Sequence, residues 1–407
     1  MRIIGVEVAP EHGFGRALLE GMSDYATHKC DARLQSVSQA SPFPADRHVQ
    51  LNGLILRLLD EKTYARARSR GIPVVDIYGE KIRNGVAQVF GDYRQIAQLA
   101  ANLFLSRGYE NIGWCGIGGL FFSAETKRHF IDFIRKSGRA VNAYDSSSRH
   151  TDVIVCNAPD HIPDAKEMRQ WIRSLPKPCA IFCCNDHRAF QIMRIASECG
   201  FSIPEEVSIL GVDNDSTICA FADVPLSSID PDAFRIGQTA ARVLDAMIEK
   251  RPDDKPHKPI LIPPKCLIER QSTMHFPVSP AWLSKVLVAI ERNLSDGINA
   301  TEAVALSGHS APAVERAFRK NFNSSVIAYI TERRMRRAKT LLSTTSLMIK
   351  EVAAECGFSS QQYFCRVFRD TYGRSPISQR RGPSADSGGS GSQSGFALSV
   401  ASSGKVR

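Results

Sequence analysis

Two short stretches near the end of the 407-residue sequence carry polar side chains on a helical period, of the kinds that hydrogen-bond to nucleic-acid bases. In AVERAFRKNF, residues 313–322, Val314, Ala317 and Phe318 recur at helical spacing and can face a core, which leaves Glu315, Arg316 and Arg319 on the opposite face. In QQYFCRVFRDTY, residues 361–372, Phe364, Val367 and Phe368 take the inward positions, and Gln361, Gln362, Arg366 and Arg369 the outward ones. The DNA major groove admits one helix. A Gln side chain there can bond adenine, an Arg can bond guanine, and neighbouring cations neutralise phosphates.

These stretches belong to an internal repeat. EAVALSGHS at 302–310 aligns with EVAAECGFS at 351–359 at an offset of 49, which becomes 50 beyond it, as Phe318 against Phe368 and Phe322 against Tyr372 show. Each copy reads as a short helix, a turn through Gly308 or Gly357, and a second helix that Ser310 or Ser359 can cap. Two such units can touch successive major grooves, about 34 Å apart. VIAYITERRMRRAKTLL at 326–342 reads as a helix long enough to hold them at a fixed separation, with Ile327, Ile330, Leu341 and Leu342 as its core stripe. The alternative is a plain helical bundle with a basic face. Charge favours the nucleic-acid reading: residues 281–382 hold 16 Lys or Arg against 8 Asp or Glu, most of the chain's net charge of +10.

Residues 1 to about 270 alternate short apolar runs with helix-length amphipathic stretches, the pattern of an α/β fold with parallel strands. Strands are expected at RIIGVEVA, RLQSVS, NGLILRLL, IPVVDIYG, IGWCGIG, DVIVCNA, AIFCCND, VSILGVD and ILIPPKCLIER, with helices at 15–27, 94–107, 124–137, 187–199 and 234–248. So many strands favour two lobes with a cleft between them. The irregular QSTMHFPVSPAW at 271–282 marks a boundary, beyond which all periodicity is helical. The Ser/Gly-rich end should be disordered. This gives domains at 1–275 and 282–382 with a tail at 383–407.

Several other chemistries are disfavoured. GIGG at 116–119 lacks the third glycine of a dinucleotide-binding loop, since Phe121 falls there. Cys179, Cys183, Cys184 and His187 lack a second ligand pair at zinc spacing, so the eleven cysteines read as packing residues and neither metal nor cofactor is expected. No nucleophile with its base and no catalytic carboxylate pair stands at a recognisable spacing, which argues against an enzyme. The N-terminal MRIIGVEVAPEHG interrupts any secretory core with Glu7 and Glu11, and no apolar run is long enough to span a bilayer, so a cytoplasmic location is expected.

On these residues a resemblance can be stated. Residues 282–381, and above all RRMRRAKTLLSTTSLMIKEVAAECGFSSQQYFCRVFRDTYGRSPISQRR, resemble the DNA-binding domain of the AraC/XylS family. The resemblance implies that Ser360, Gln361, Gln362, Arg366 and Arg369 serve the second recognition helix, and Pro312, Glu315, Arg316 and Arg319 the first. Ala311 departs from an Arg common among relatives. In the front half, GFGRALLEGMSDYA, GIPVVDIYG, CCNDHRAFQIMRIASECGFSIPEEVSILGVDND and PLSSIDPDAFRIGQTAARVLDAMI resemble LacI-type sensors of the periplasmic-binding-protein-like class. That sensor ahead of an AraC-type domain is the arrangement of XylR-like xylose operon regulators.

The implied fold is an α/β bilobal periplasmic-binding-protein-like (type 1) sensor domain plus an all-α C-terminal domain with two helix-turn-helix units. The implied partners are double-stranded DNA, a small effector such as a pentose or other sugar, and a second copy in a homodimer. Asn185, Asp186 and Asp213 match ligand positions of the family, although an Asp after a strand is often only a helix cap, as Asp186 could be for the helix from His187. Where relatives carry Trp and Arg, this chain has Phe122 and His129, with Asp132 before Phe133; Arg128, one place out of register, is the candidate substitute. These departures leave open a regulator whose sensor has lost its ligand and serves only dimerisation.

Overall fold

The computed structural model describes residues 2–38, 43, 50–57, 61–80, 86–147, 162–249 and 258–381. They form two compact units that meet in sequence at Met274 and His275.

The first unit holds two six-stranded sheets. Strands β1 (Arg2–Glu7), β2 (Ala32–Ser36), β3 (Gly53–Leu56), β4 (Val74–Asp76) and β5 (Val86–Gly91) join β11 (Ile260–Ile262) in the order β11-β5-β4-β3-β1-β2, all parallel. Strands β6 (Asn111–Ile117), β7 (Val141–Ser146), β8 (Cys179–Cys183), β9 (Val207–Val212) and β10 (Ser227–Asp230) join β12 (Cys266–Ile268) in the order β12-β10-β9-β8-β6-β7. Only β12 runs antiparallel, against β10. The chain passes between sheets after β5, after β10 and between β11 and β12, so each sheet is the centre of its own lobe.

Helices cover both sheets because strands buried on two faces need apolar partners on both. Helix α1 (Gly13–His28) and the helix Ala233–Ile248 bury Leu18, Met22, Ile236 and Leu244 against β1, β3 and β4 in the first lobe. The helices Tyr93–Arg107 and Phe121–Lys136 bury Phe104, Phe130 and Ile134 with Trp114 in the second. Asp186–Glu198 and Ala165–Ser174 close its other face around Met168, Ile181 and Ile192.

The five expected helices all form, each starting one to three residues earlier than the periodicity suggests. The strands β5, β7 and β10 escape sequence reading because Gln88, the Asn142–Asp145 pair and Ser227–Ser228 break their apolar runs. The late run ILIPPKCLIER divides at Pro263–Pro264 into β11 and β12, one for each sheet. The expected strand DVIVCNA and the tail 383–407 lie outside the described residues.

Among the described residues the second unit contains helices and no strand. Ala281–Arg292, Ala300–Ser307 and Ala311–Phe322 pack around Leu287, Ile290, Val314 and Phe318, and Ile349–Glu355 with Gln361–Tyr372 pack around Val352, Phe364 and Phe368. Burying each such side chain contributes roughly 1.5–3 kcal/mol. One helix, Val326–Thr344, serves both cores, with Val326, Tyr329 and Ile330 in the first and Met335, Ala338 and Leu342 in the second. Ile327, expected in that stripe, is 65% exposed, because Val326 takes the inward position instead.

Candidate functional site

In the first unit the carboxyl ends of β1, β3 and β4 face those of β6, β8 and β9, and helix starts from both lobes crowd the gap between them. The cleft there spans about 1050 Å³ of space free of atoms, part of it open to solvent, and is lined from both sheets. Parallel strands end at the same edge, and ligands of open α/β sheets bind beyond those ends.

Five aromatic residues, Phe14, Tyr78, Phe90, Tyr93 and Phe122, give the cavity apolar walls. Phe90 and Tyr93 are stacked with ring centroids 5.6 Å apart. The polar groups are fewer. Arg57 follows β3 directly, and no hydrogen bond or ion pair engages its guanidinium among the described residues. Asp213 follows β9 with φ at 112°, a conformation rare for a residue with a side chain. Its half-buried carboxyl has no hydrogen-bond partner among the described residues. Burial, followed by the nearby Asp186, pushes it well above the usual carboxylate range, against the pull of Arg57. Asn185 caps Asp186–Glu198 by accepting from the Arg188 backbone at 2.8 Å, which leaves its amide nitrogen for a ligand.

Several contacts join the two lobes across the cavity. His12 Nδ1 lies 2.9 Å from His187 Nε2, and the rings meet edge to face. Gly13 N donates to Asp215 Oδ2 at 2.7 Å, and Phe121 N donates to Tyr78 Oη at 2.9 Å. Burial lowers both imidazoles, His187 to about 4, so both rings are neutral at pH 7 and one donates to the other. Deeper in the wall, Arg188 is wholly buried between Asp164, whose Oδ1 accepts at 2.9 Å, and Gln191.

The expected ligand residues separate into two groups. Phe122, Asn185 and Asp213 line the cavity. Asp186 does not: its carboxylate accepts from Ser228 Oγ at 2.6 Å, from Asp215 N at 2.8 Å and from Cys219 Sγ at 3.5 Å. It ties β10 to the loop that carries Asp213, while the cap role considered for it falls to Asn185. Arg128 is paired with Glu125 at 2.7 Å on the exposed side of its helix. A helix turns about 100° per residue, so Arg128 points away from the cavity-lining Thr126. His129 shares the Phe122 face but lies seven residues further along, roughly 10 Å away along the helix, and does not line the cavity.

Sequence reading missed Arg57, His12, His187 and the aromatic wall apart from Phe122. A position immediately after a parallel strand was the available signal for Arg57. GIGG forms the end of β6 and the turn into Phe121–Lys136, with Gly119 at φ 76°. Cys183 and Cys184 point to opposite faces of the sheet and pack in different cores, and Cys179 packs with Cys183.

In the second unit the repeat becomes two helix-turn-helix heads. Gly308 and Gly357 take left-handed conformations, with φ at 66° and 73°, at the turn between the two helices of each head. Pro312, Arg316 and Arg319 are exposed on Ala311–Phe322, and Gln361, Gln362, Arg366 and Arg369 on Gln361–Tyr372. Glu315 is only half-exposed, and its Oε2 is buried without a partner among the described residues. The change of offset from 49 to 50 is Ser360, an extra residue that caps the second head's outer helix by accepting from Tyr363 N at 3.3 Å. Ser359 is not that cap. Ser310 holds the equivalent place without a side-chain hydrogen bond. Tyr363, unremarked in the sequence, is 49% exposed and lies under Arg366, whose Cζ is 5.1 Å from its ring centroid.

The comparisons agree with this geometry. Residues 101–273 match the periplasmic binding protein-like domain, and residues 304–382 match the helix-turn-helix domain. The xylose operon regulatory protein of Escherichia coli (strain K12) is 28% identical over 224 residues, 55% of this chain and 57% of that one, so the alignment spans little more than half of the relative's length. The protein of the same name from Haemophilus influenzae is 24% identical over 335 residues, 81% of this chain and 84% of that one. A solved structure described as xylose-binding transcription activator xylR shares the fold, with a TM-score of 0.57 at 21% identity over 93% of this chain and 97% of that one. An aromatic-walled bilobal unit followed by two helix-turn-helix heads thus joins a periplasmic binding protein-like domain to a helix-turn-helix domain in one chain, similar in sequence to the xylose operon regulatory proteins.

Proposed function

We propose that this protein is a sequence-specific DNA-binding transcription regulator whose grip on DNA responds to a small polyhydroxylated effector, a pentose such as xylose or a related polyol. The observation that carries the reading is the pair of heads, each presenting an exposed Arg-bearing helix face, on a chain that also holds a cavity with an unengaged cation and carboxyl. Aromatic walls suit the apolar faces of a sugar ring, and Arg57, Asp213 and Asn185 suit its hydroxyls. The names of the relatives support the pentose. Among the described residues no helix is long and apolar enough to cross a membrane, in keeping with a cytoplasmic regulator. A homodimer paired through the first unit is part of the reading.

Its test has two arms. Binding of the full chain to its own promoter region and to random duplex is compared across a salt series, and calorimetry is run against a panel of pentoses, hexoses and polyols. Promoter preference with one saturable sugar supports the reading. Equal affinity for both duplexes ends it at the DNA step. Promoter preference with no binding from the panel would leave a DNA-bound protein whose sensor serves only assembly.

A further inference from the structure

The two heads have separate cores, and the shared helix Val326–Thr344 changes from one core to the other between Ile330 and Met335. Arg334 stands at that changeover. Its Nη2 donates to the Ile298 carbonyl at 3.0 Å, in the segment that leads into the first head. Its guanidinium also lies over the ring of Phe358, with Cζ 5.3 Å from the centroid, at the turn of the second head. Ile298 is 4% exposed in the first core, and Phe358 is 8% exposed in the second. Beneath the arginine the two backbones touch: a Cβ placed on Gly357 would lie 2.2 Å from the Leu294 carbonyl and 3.0 Å from Gly297 Cα.

We propose that Arg334 is a positioning residue that clasps the two heads together and thereby sets the spacing of the DNA elements they read. The proposal rests on the reading of this unit as a two-headed DNA reader. A helix anchored near its ends by two cores can bend and twist at its middle turn. A rotation of about 10° on a lever of about 17 Å, half the distance between successive grooves, displaces a recognition helix by about 3 Å. Hydrogen bonds to base edges do not survive such a shift. Arg334 prevents it by closing a loop through the helix, residues 294–298 and the turn at Gly357. Phe358 then passes the position on to Phe364 of the outer helix, whose ring centroid is 5.5 Å away. The arginine Nε is buried without a partner among the described residues, so the side chain keeps one unsatisfied donor to hold this place.

The experiment compares the full-length protein with Arg334→Ala and Arg334→Lys on four duplexes: the complete promoter site, the same site with one base pair added or removed between its two elements, and a single-element site. The expected result for Arg334→Ala is at least a 10-fold loss on the complete site, less than a 2-fold change on the single element, and a flattened dependence on spacing. Arg334→Lys, which keeps a donor for Ile298 but no planar face, should fall between. Equal loss on complete and single-element sites, or a parental spacing preference in Arg334→Ala, overturns the clasp. A second arm needs no DNA. In hydrogen–deuterium exchange of the free protein, residues 294–299 and 356–360 should lose protection together in Arg334→Ala while the cores stay protected. Unchanged protection also overturns the proposal. If the parent protein lacks promoter preference, the functional reading fails while the exchange arm still decides whether the clasp exists.

Discussion

Arg57 and Asp213 come from opposite lobes and are 156 positions apart, yet their side chains face one cavity with no hydrogen-bond or ion-pair partner among the described residues. A hydrogen bond involving a charged group contributes about 1.5–3 kcal/mol. Arg57→Ala and Asp213→Ala should each weaken effector binding by about 10- to 100-fold in calorimetry, whereas Arg128→Ala, on the outward face, should leave it within about 2-fold. His187 supplies a pH dependence. Its pKa is held at about 4 in the folded chain, against 6.5 for an ordinary imidazole. Between those values the unfolded chain takes up a proton that the folded chain refuses, so stability falls as pH drops from about 6.5 towards 4 and is unaffected above that window. Facing groups are His12, Asp215 and Arg16, with Arg57 and Glu11 acting on His12. Asp186, pushed by burial to about 7, acts in the opposite sense, and its penalty grows as pH rises from about 4 to 7. Urea unfolding from pH 7 to pH 4 should therefore show a shallower acid loss in His187→Gln than in the parent. A parallel profile for the two would exclude the neutral histidine bridge.

At the scale of elements, the exposed face of Gln361–Tyr372 carries the most specific expectation. Arg366 stands on the Tyr363 ring, which restrains its guanidinium and would reduce the entropy lost on meeting a base in the proposed complex. Arg366→Ala should remove about 1–3 kcal/mol of discrimination at one base pair of the site, read by titrating a set of singly substituted operators. Discrimination at the other positions should persist, and the salt dependence should change by at most about one counterion. Uniform weakening across the set would reassign Arg366 to a phosphate. On the first head, half-buried Glu315 offers less to a groove than Arg316 and Arg319, so under the proposed function Arg316→Ala and Arg319→Ala should weaken discrimination more than Glu315→Ala.

For the whole molecule, a chain that binds effector in one unit and DNA in the other must obey reciprocity. Whatever factor the effector applies to operator affinity, the operator applies to effector affinity. Calorimetric titration of the effector with and without saturating operator should therefore give a ratio of constants equal to the ratio found in operator titrations with and without effector. Unequal ratios would show that the sites are not linked at equilibrium. The effector should also stabilise the unit that binds it, by about 2.7 kcal/mol at a free concentration of 100 Kd, read as a rise in the unfolding transition of residues 2–274.

Much of this organisation is local and therefore legible in the residues alone. A period of 3.6 and a repeat at 49 residues reveal two copies of one helical unit, because a helix face is set by neighbours three and four positions away. The exposed Gln and Arg faces, the two lobes and the switch from strands to helices after Trp282 follow from the same local rules. Tertiary structure decided what those rules cannot reach. Asp186, beside Asn185 in sequence, turns into the protein to hold Ser228 and the Asp215 backbone, because donors from β10 and the loop after β9 meet its carboxylate there. The convergence of His12, Arg57, His187 and Asp213 depends on three chain crossings between sheets, and the clasp at Arg334 depends on where two separately folded turns come to rest. Periodicity assigns a side chain to a face; only packing determines which distant group that face will meet.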